Sequence, residues 1–120
     1  MLNDGTGFKK VYLAPGYTDL RRGMDGLANI VRFHYNLDPY DKGTLFLFCG
    51  RRSTRIKGLL WEGDGFLLLY KRLDNGSFRW PRSDKEALEI SDEQYSMLMQ
   101  GFEVIPRKPI VQVDDPPCLI

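Results

Sequence analysis

Histidine and cysteine are almost absent from this chain of 120 residues, which holds one histidine, His34, and two cysteines, Cys49 and Cys118. A lone histidine argues against a multi-histidine metal centre. Two cysteines far apart in sequence, in no C-x-x-C pair, argue against a disulfide framework or a cysteine-ligated zinc site. Long apolar runs are missing too, and stretches such as Phe66–Leu69 are far too short to cross a bilayer. Met1–Gly5 lacks the charged-then-apolar plan of a secretory leader, so the expected compartment is the reducing cytoplasm, with no membrane partner. No internal repeat, glycine-rich phosphate loop or G-x-S-x-G elbow occurs. An excess of one charge is lacking as well: 17 Lys and Arg offset 16 Asp and Glu, for a net +1. Nucleic-acid proteins usually carry a basic surplus.

What is present is enough apolar residue, 42%, for one core. The expectation is a single α+β domain over residues 1–105 and a proline-rich tail over 106–120, in which Ile110–Val113 is a candidate edge strand. Phe8–Ala14 reads as a strand stopped by Pro15-Gly16. A helix follows, capped by Thr18 or Asp19, with Leu20, Met24, Leu27, Ala28, Val31 and Tyr35 at helical spacing. It should end near Asn36, ahead of Asp38-Pro39. Gly23 and Gly26 inside it each cost about 1 kcal/mol against alanine, which points to a close neighbour on that backbone.

From Thr44 the period becomes that of a sheet. Leu45–Cys49, Arg55–Glu62, Phe66–Asp74 and Ser77–Trp80 read as short strands, joined through Gly63-Asp64-Gly65 and Asn75-Gly76 turns that tolerate positive φ. The fold class is therefore α+β, a four- to five-stranded mostly antiparallel meander sheet with one helix before it and one after. The second helix carries a Ser91–Gln94 capping box, an Ile90–Tyr95 staple, an apolar stripe of Tyr95, Leu98, Met99 and Phe102, and Gly101 near its end.

Register follows from the turns. Across Asn75-Gly76, Leu73 should face Phe78, Arg72 face Arg79, and Lys71 face Trp80 with a small cation–π gain. Arg72 opposite Arg79 is repulsive and calls for an anion. Parity puts Arg55, Lys57, Leu59 and Trp61 on one face with Leu68, Tyr70, Arg72 and Arg79. Ile56, Leu60, Leu67, Leu69, Leu73, Phe78 and Trp80 take the other face, the expected seat of a helix. Cations interleaved with aromatics suit phosphates and stacked bases. The plainer alternative is a solvated sheet face, with Arg51, Arg52, Arg55 and Lys57 as a charged loop.

Catalytic candidates are thin. Metal-dependent strand transfer needs convergent carboxylates, yet Asp19 and Asp25 lie about 240° apart around a helix. Asp64 is accounted for by its turn, and no enzymatic activity or cofactor is expected. His34 reads as an ordinary helix residue and Cys49 as strand packing.

The blocks DLRRGMDGLA (Asp19–Ala28), DPY (Asp38–Tyr40) and GTLFLFCGRRSTRIKGLLWEGDGFLLLYKRLDNGSFRWP (Gly43–Pro81) closely resemble the TnpB accessory proteins of insertion sequence 66 type transposons. The shared elements are the aspartate–arginine start with D-G-L, the paired arginines Arg51 and Arg52, W-x-G-D-G-F, Y-K-R-L and F-x-W-P. Cys49-Gly50 and Glu62 depart from the family's common residues. The resemblance implies a non-catalytic role in bacterial DNA transposition, beside a transposase subunit that carries the catalytic carboxylates. It supplies no catalytic residues for this chain.

Taken with the residue pattern, the expectation is binding of element-end DNA, or of a transposase–DNA complex, through Arg51, Arg52, Arg55, Lys57, Arg72 and Arg79, with Trp61 and Tyr70 stacking. A protein–protein adaptor docking on the transposase is the alternative, and a metal-dependent nuclease using Asp19 and Asp25 the remoter one. Net charge conceals strong polarity: residues 42–82 hold nine basic and three acidic groups, and 83–120 three basic and eight acidic. Such polarity permits anion binding at the sheet. It equally permits the acidic third to fold over the sheet and neutralise it.

Overall fold

The computed structural model describes residues 7–104; the tail expectations, Ile110–Val113 and Cys118 among them, lie outside the described residues. Along the chain come β1 (Lys10–Ala14), α1 (Met24–Asn29), β2 (Thr44–Cys49), β3 (Arg55–Trp61), β4 (Phe66–Arg72), β5 (Leu88–Ile90) and α2 (Asp92–Met99). The five strands form one sheet in the order β4-β3-β2-β1-β5. Every residue of β2, TLFLFC, is buried, as a central strand covered on both faces must be. β2, β3 and β4 are the expected antiparallel meander, β5 is antiparallel to β1, and β1 runs parallel to β2 with α1 in the crossover. The class is α+β as expected, with a helix ahead of the meander and one after the last strand.

The first helix starts later than its apolar spacing indicates, and neither Thr18 nor Asp19 caps it. The Asp19 carboxylate instead accepts from the Arg21 backbone N–H at 3.0 Å, and Arg22 N–H reaches the Asp19 carbonyl at 3.1 Å. Asp is prone to such local turns, which compete with helix, so the α-helix begins after Gly23. At Ile30–His34 it widens into a π-helical turn, closed by Tyr35 N–H on the Ile30 carbonyl at 3.2 Å. Asn36, at φ 55, ends it. The close neighbour expected at the glycines exists at Gly26, where an added Cβ would sit 3.2 Å from Arg22 Cβ, but not at Gly23.

Ser77–Trp80 is not a strand. Arg72 faces Arg55 rather than Arg79, and Lys71 faces Ile56 rather than Trp80. After the Asn75-Gly76 turn the chain crosses beneath the sheet. Phe78 N–H donates to the Ser53 carbonyl at 2.6 Å, and the Trp80 indole N–H donates to the Ala14 carbonyl at 2.8 Å. Burial decides the path: sinking Phe78 and Trp80 is worth about 1.5–3 kcal/mol for each large side chain. Cross-strand pairs on an exposed edge hairpin are worth about 0.2–1 kcal/mol each, and one of these pairs would oppose like charges. The hairpin loses. Leu88–Ile90, which carries no strand signal in sequence, then closes the far edge against β1.

Two cores result. On one face Ile56, Leu60, Phe78 and Trp80 pack with Leu67, Leu69 and Leu73 and with Tyr95 and Leu98 of α2, as parity requires. The capping box of α2 forms in full, Ser91 Oγ accepting from Gln94 N–H and Gln94 Oε1 from Ser91 N–H. Gly101 (φ 91) and Phe102 close its last turn onto Leu98 and Met97. On the other face α1 and the π-turn lay Leu27, Ala28 and Val31 over Phe46, Phe48 and Leu59. The cation-bearing face is thus covered by a helix across its middle, and only its ends stay open.

Candidate nucleic-acid interface

Strand register assembles the site. On β3 and β4, Arg55 faces Arg72 and Lys57 faces Tyr70, and beyond them Leu59 faces Leu68 under α1. The open end of this face is a cleft of about 980 Å³. Its floor is Arg55, Lys57, Leu68 and Tyr70; the loop Gly50–Arg52 forms one side and the segment Tyr17–Arg21 the other. The two sides meet because Gly50 has no side chain: an added Cβ would stand 3.1 Å from Leu20 Cδ1.

Five cations line the cleft (Arg21, Arg51, Arg52, Arg55 and Lys57) against one carboxylate, Asp19. That carboxylate is already engaged. The Arg21 guanidinium, then the Arg21 backbone N–H, hold its pKa down to about 2. The Arg51 guanidinium sits 4.9 Å over the Tyr17 ring and donates to its hydroxyl at 3.2 Å. Lys57 Nζ donates to the Arg22 carbonyl at 3.2 Å and lies 5.9 Å from the Tyr70 ring centre. Among the described residues no carboxylate pairs with Arg51, Arg52, Arg55, Lys57 or Arg72.

Three of the eight expected site residues do not line the cleft: Arg72 stands beside it, across the ladder from Arg55, and the other two lie elsewhere. Arg79 belongs to the crossing segment and pairs with Glu103 at 3.4 Å. Trp61 shares the face of Arg55 but stands at the other end of β3, beyond α1. There it forms a triad with Tyr40 at 5.0 Å and Phe66 at 4.9 Å. This triad borders a second cavity of about 760 Å³, together with Met24 and Asp25. Asp19 and Asp25 therefore face different cavities, and no group of three or more His, Cys, Asp or Glu that could hold a metal ion occurs among the described residues. The described acidic residues of the C-terminal third do not line the cleft. Glu89 is on β5 at the opposite edge, and Asp92 and Glu93 open α2 on the opposite face.

Sequence reasoning missed Arg82, the organiser of the loop. Its guanidinium donates to the carbonyls of Gly16 at 2.8 Å, Gly50 at 3.2 Å and Arg51 at 3.4 Å, and to Ser53 Oγ at 2.7 Å. It thereby ties the Gly50–Arg52 loop to the turn after β1. Its acceptors lie 66 residues away at Gly16 and 29 to 32 residues away at Gly50, Arg51 and Ser53, so no local pattern signals it. Beneath the loop Cys49 is buried, and burial pushes its thiol up to about 11 despite the opposing nearness of Arg82. Its role is packing, as expected. His34 is exposed, with the edge of one ring against Tyr35 at 4.6 Å.

These features define an open-sheet α+β protein with a cationic, tyrosine-lined cleft. The family pattern described as IS66 Orf2 like protein matches residues 9–109, and the chain belongs to that family. It is 40% identical over 94 residues to the uncharacterized protein y4hO of Sinorhizobium fredii (strain NBRC 101917 / NGR234), covering 78% of this chain and 81% of that one. It is 35% identical over 103 residues to the uncharacterized protein y4jC of the same organism, covering 84% and 87%. No solved structure matches it. Membership supports an accessory, transposition-related role, with transposase or DNA as partners, in a family not known as catalytic. No described helix is long and apolar enough to cross a membrane.

Proposed function

We propose that this protein is a non-catalytic accessory factor of insertion-sequence transposition that binds DNA, alone or within the transposase complex, through the cleft. The observation that carries the reading is the set of cleft cations with no carboxylate partner, above all Arg55 directly across the ladder from Arg72. Like charges held face to face cost stability, and a phosphate backbone relieves that cost. Arg51, Arg52, Arg55, Lys57 and Arg72 are the contacts, with Tyr70 beside them. Arg79, already satisfied by Glu103, and Trp61, in its own triad, stand outside.

A salt-titrated gel shift with element-end DNA tests this. Each phosphate contact contributes roughly 0.7–0.9 to the slope of log affinity against log salt. The triple variant Arg52→Gln, Arg55→Gln, Arg72→Gln should therefore lower the slope by about 2 to 3, while Arg79→Gln leaves it unchanged. An unaltered slope and affinity in the triple variant would sink the reading.

One observation favours the adaptor reading. Phe33 is 72% exposed, and Tyr40 of the Trp61 triad and the neighbouring Met24 are exposed as well, leaving apolar surface of the kind that marks protein contacts. Co-purification with the transposase after nuclease treatment separates the readings, because only a direct protein contact survives loss of DNA.

A further inference from the structure

We infer that the cleft takes single-stranded rather than duplex DNA, an inference that rests on the DNA-binding reading and narrows it. Two tyrosines stand in the cleft, one on a side and one on the floor: Tyr17 on the segment after β1, 59% exposed, and Tyr70 on β4, 50% exposed. Each has a cation beside its ring, Arg51 at 4.9 Å and Lys57 at 5.9 Å. Leu20 and Leu68 line the space as apolar surface.

Duplex DNA presents groove edges and phosphates, with its base faces closed inside the stack. A duplex could use the cations and leave both rings idle. Unpaired bases expose their faces and stack on aromatic rings, while the backbone runs past the flanking cations; this pairing of charge with stacking is what sequence-tolerant single-strand binders use. One stacked base is worth roughly tenfold to a hundredfold in affinity. The cleft is also a recess bounded on two sides by chain, and not a ridge that enters a groove.

The test is fluorescence anisotropy with a labelled oligonucleotide of about 15 nucleotides, a length within the range of single-strand sites, offered alone and annealed to its complement, over a series of salt concentrations. The full chain should bind the single strand at least about tenfold more tightly. Tyr17→Ala with Tyr70→Ala should abolish that preference while leaving the salt slope intact, and Tyr70→Phe, which keeps the ring, should retain it. Circular dichroism establishes that each variant is folded. If the duplex binds as tightly as the single strand and the Arg52, Arg55 and Arg72 substitutions still lower its salt slope, the single-strand inference is wrong and the DNA reading stands. If neither form binds with a salt-dependent affinity, the DNA reading itself falls.

Discussion

Trp80→Phe distinguishes the observed path of residues 77–80 from the hairpin that the Asn75-Gly76 turn suggests. In the structure the indole is buried and donates to the Ala14 carbonyl at 2.8 Å. Phenylalanine keeps most of the apolar contact but removes the donor. Stripping a buried carbonyl of its partner costs about 1–3 kcal/mol, and the space left by the smaller ring adds about 1 kcal/mol. The total is about 2–4 kcal/mol. A chain of 120 residues has an unfolding entropy near 0.25 kcal/mol/K, so the melting temperature should fall by about 8–16 °C. In the hairpin, Trp80 would lie opposite Lys71 on an exposed edge and contribute about 0.5–1 kcal/mol, a shift of no more than about 4 °C. Thermal unfolding followed by circular dichroism measures the difference. With only two tryptophans in the chain, fluorescence of Trp61→Phe reports Trp80 alone and should be blue-shifted until unfolding. A melting temperature within about 4 °C of the parent for Trp80→Phe would refute the crossing.

Ser91→Ala removes one half of the α2 capping box and should cost about 1 kcal/mol in urea unfolding. Cys49, with its thiol pushed up by burial to about 11, should react with a thiol reagent at pH 8, in a Cys118→Ser background, only as fast as the protein opens. Because its folded pKa is raised, its neutral form contributes stability that is complete below the ordinary thiol range and lost as pH rises through about 11. Asp19 runs the other way: its pairing with Arg21 is complete above the ordinary carboxylate range and lost as pH falls through about 2. An NMR titration of its carboxyl carbon near an unshifted carboxylate midpoint would contradict the pairing. Arg82→Ala should speed tryptic cleavage after Arg51 and Arg52 by several-fold, and Arg82→Lys should not restore protection, since an ammonium cannot span the same acceptors.

Local signals carried much of this protein. Alternation in Arg55–Trp61 and Phe66–Arg72, with a turn at Gly63, fixed which residues share a face, and the observed register pairs Lys57 with Tyr70 and Trp61 with Phe66 as parity demands. The α2 cap was written in Ser91 and Gln94 for the same reason: both partners lie within one turn. The motif order identified the family without any coordinates. What parity cannot state is what covers a face. That α1 crosses the middle of the cationic face, dividing Trp61 from Arg55, depends on a crossover between parallel strands distant in sequence. Likewise Phe78 and Trp80 leave the hairpin because a buried seat exists beneath the sheet, and Arg82 reaches acceptors that only the fold brings together. Sequence by itself determined the strands of the β2–β4 meander, their faces and the charge they carry, but neither β5 nor the path of residues 77–80. The tertiary structure alone decided which cations meet in one cleft, because burial and long-range packing outweigh the weak preferences of an isolated turn.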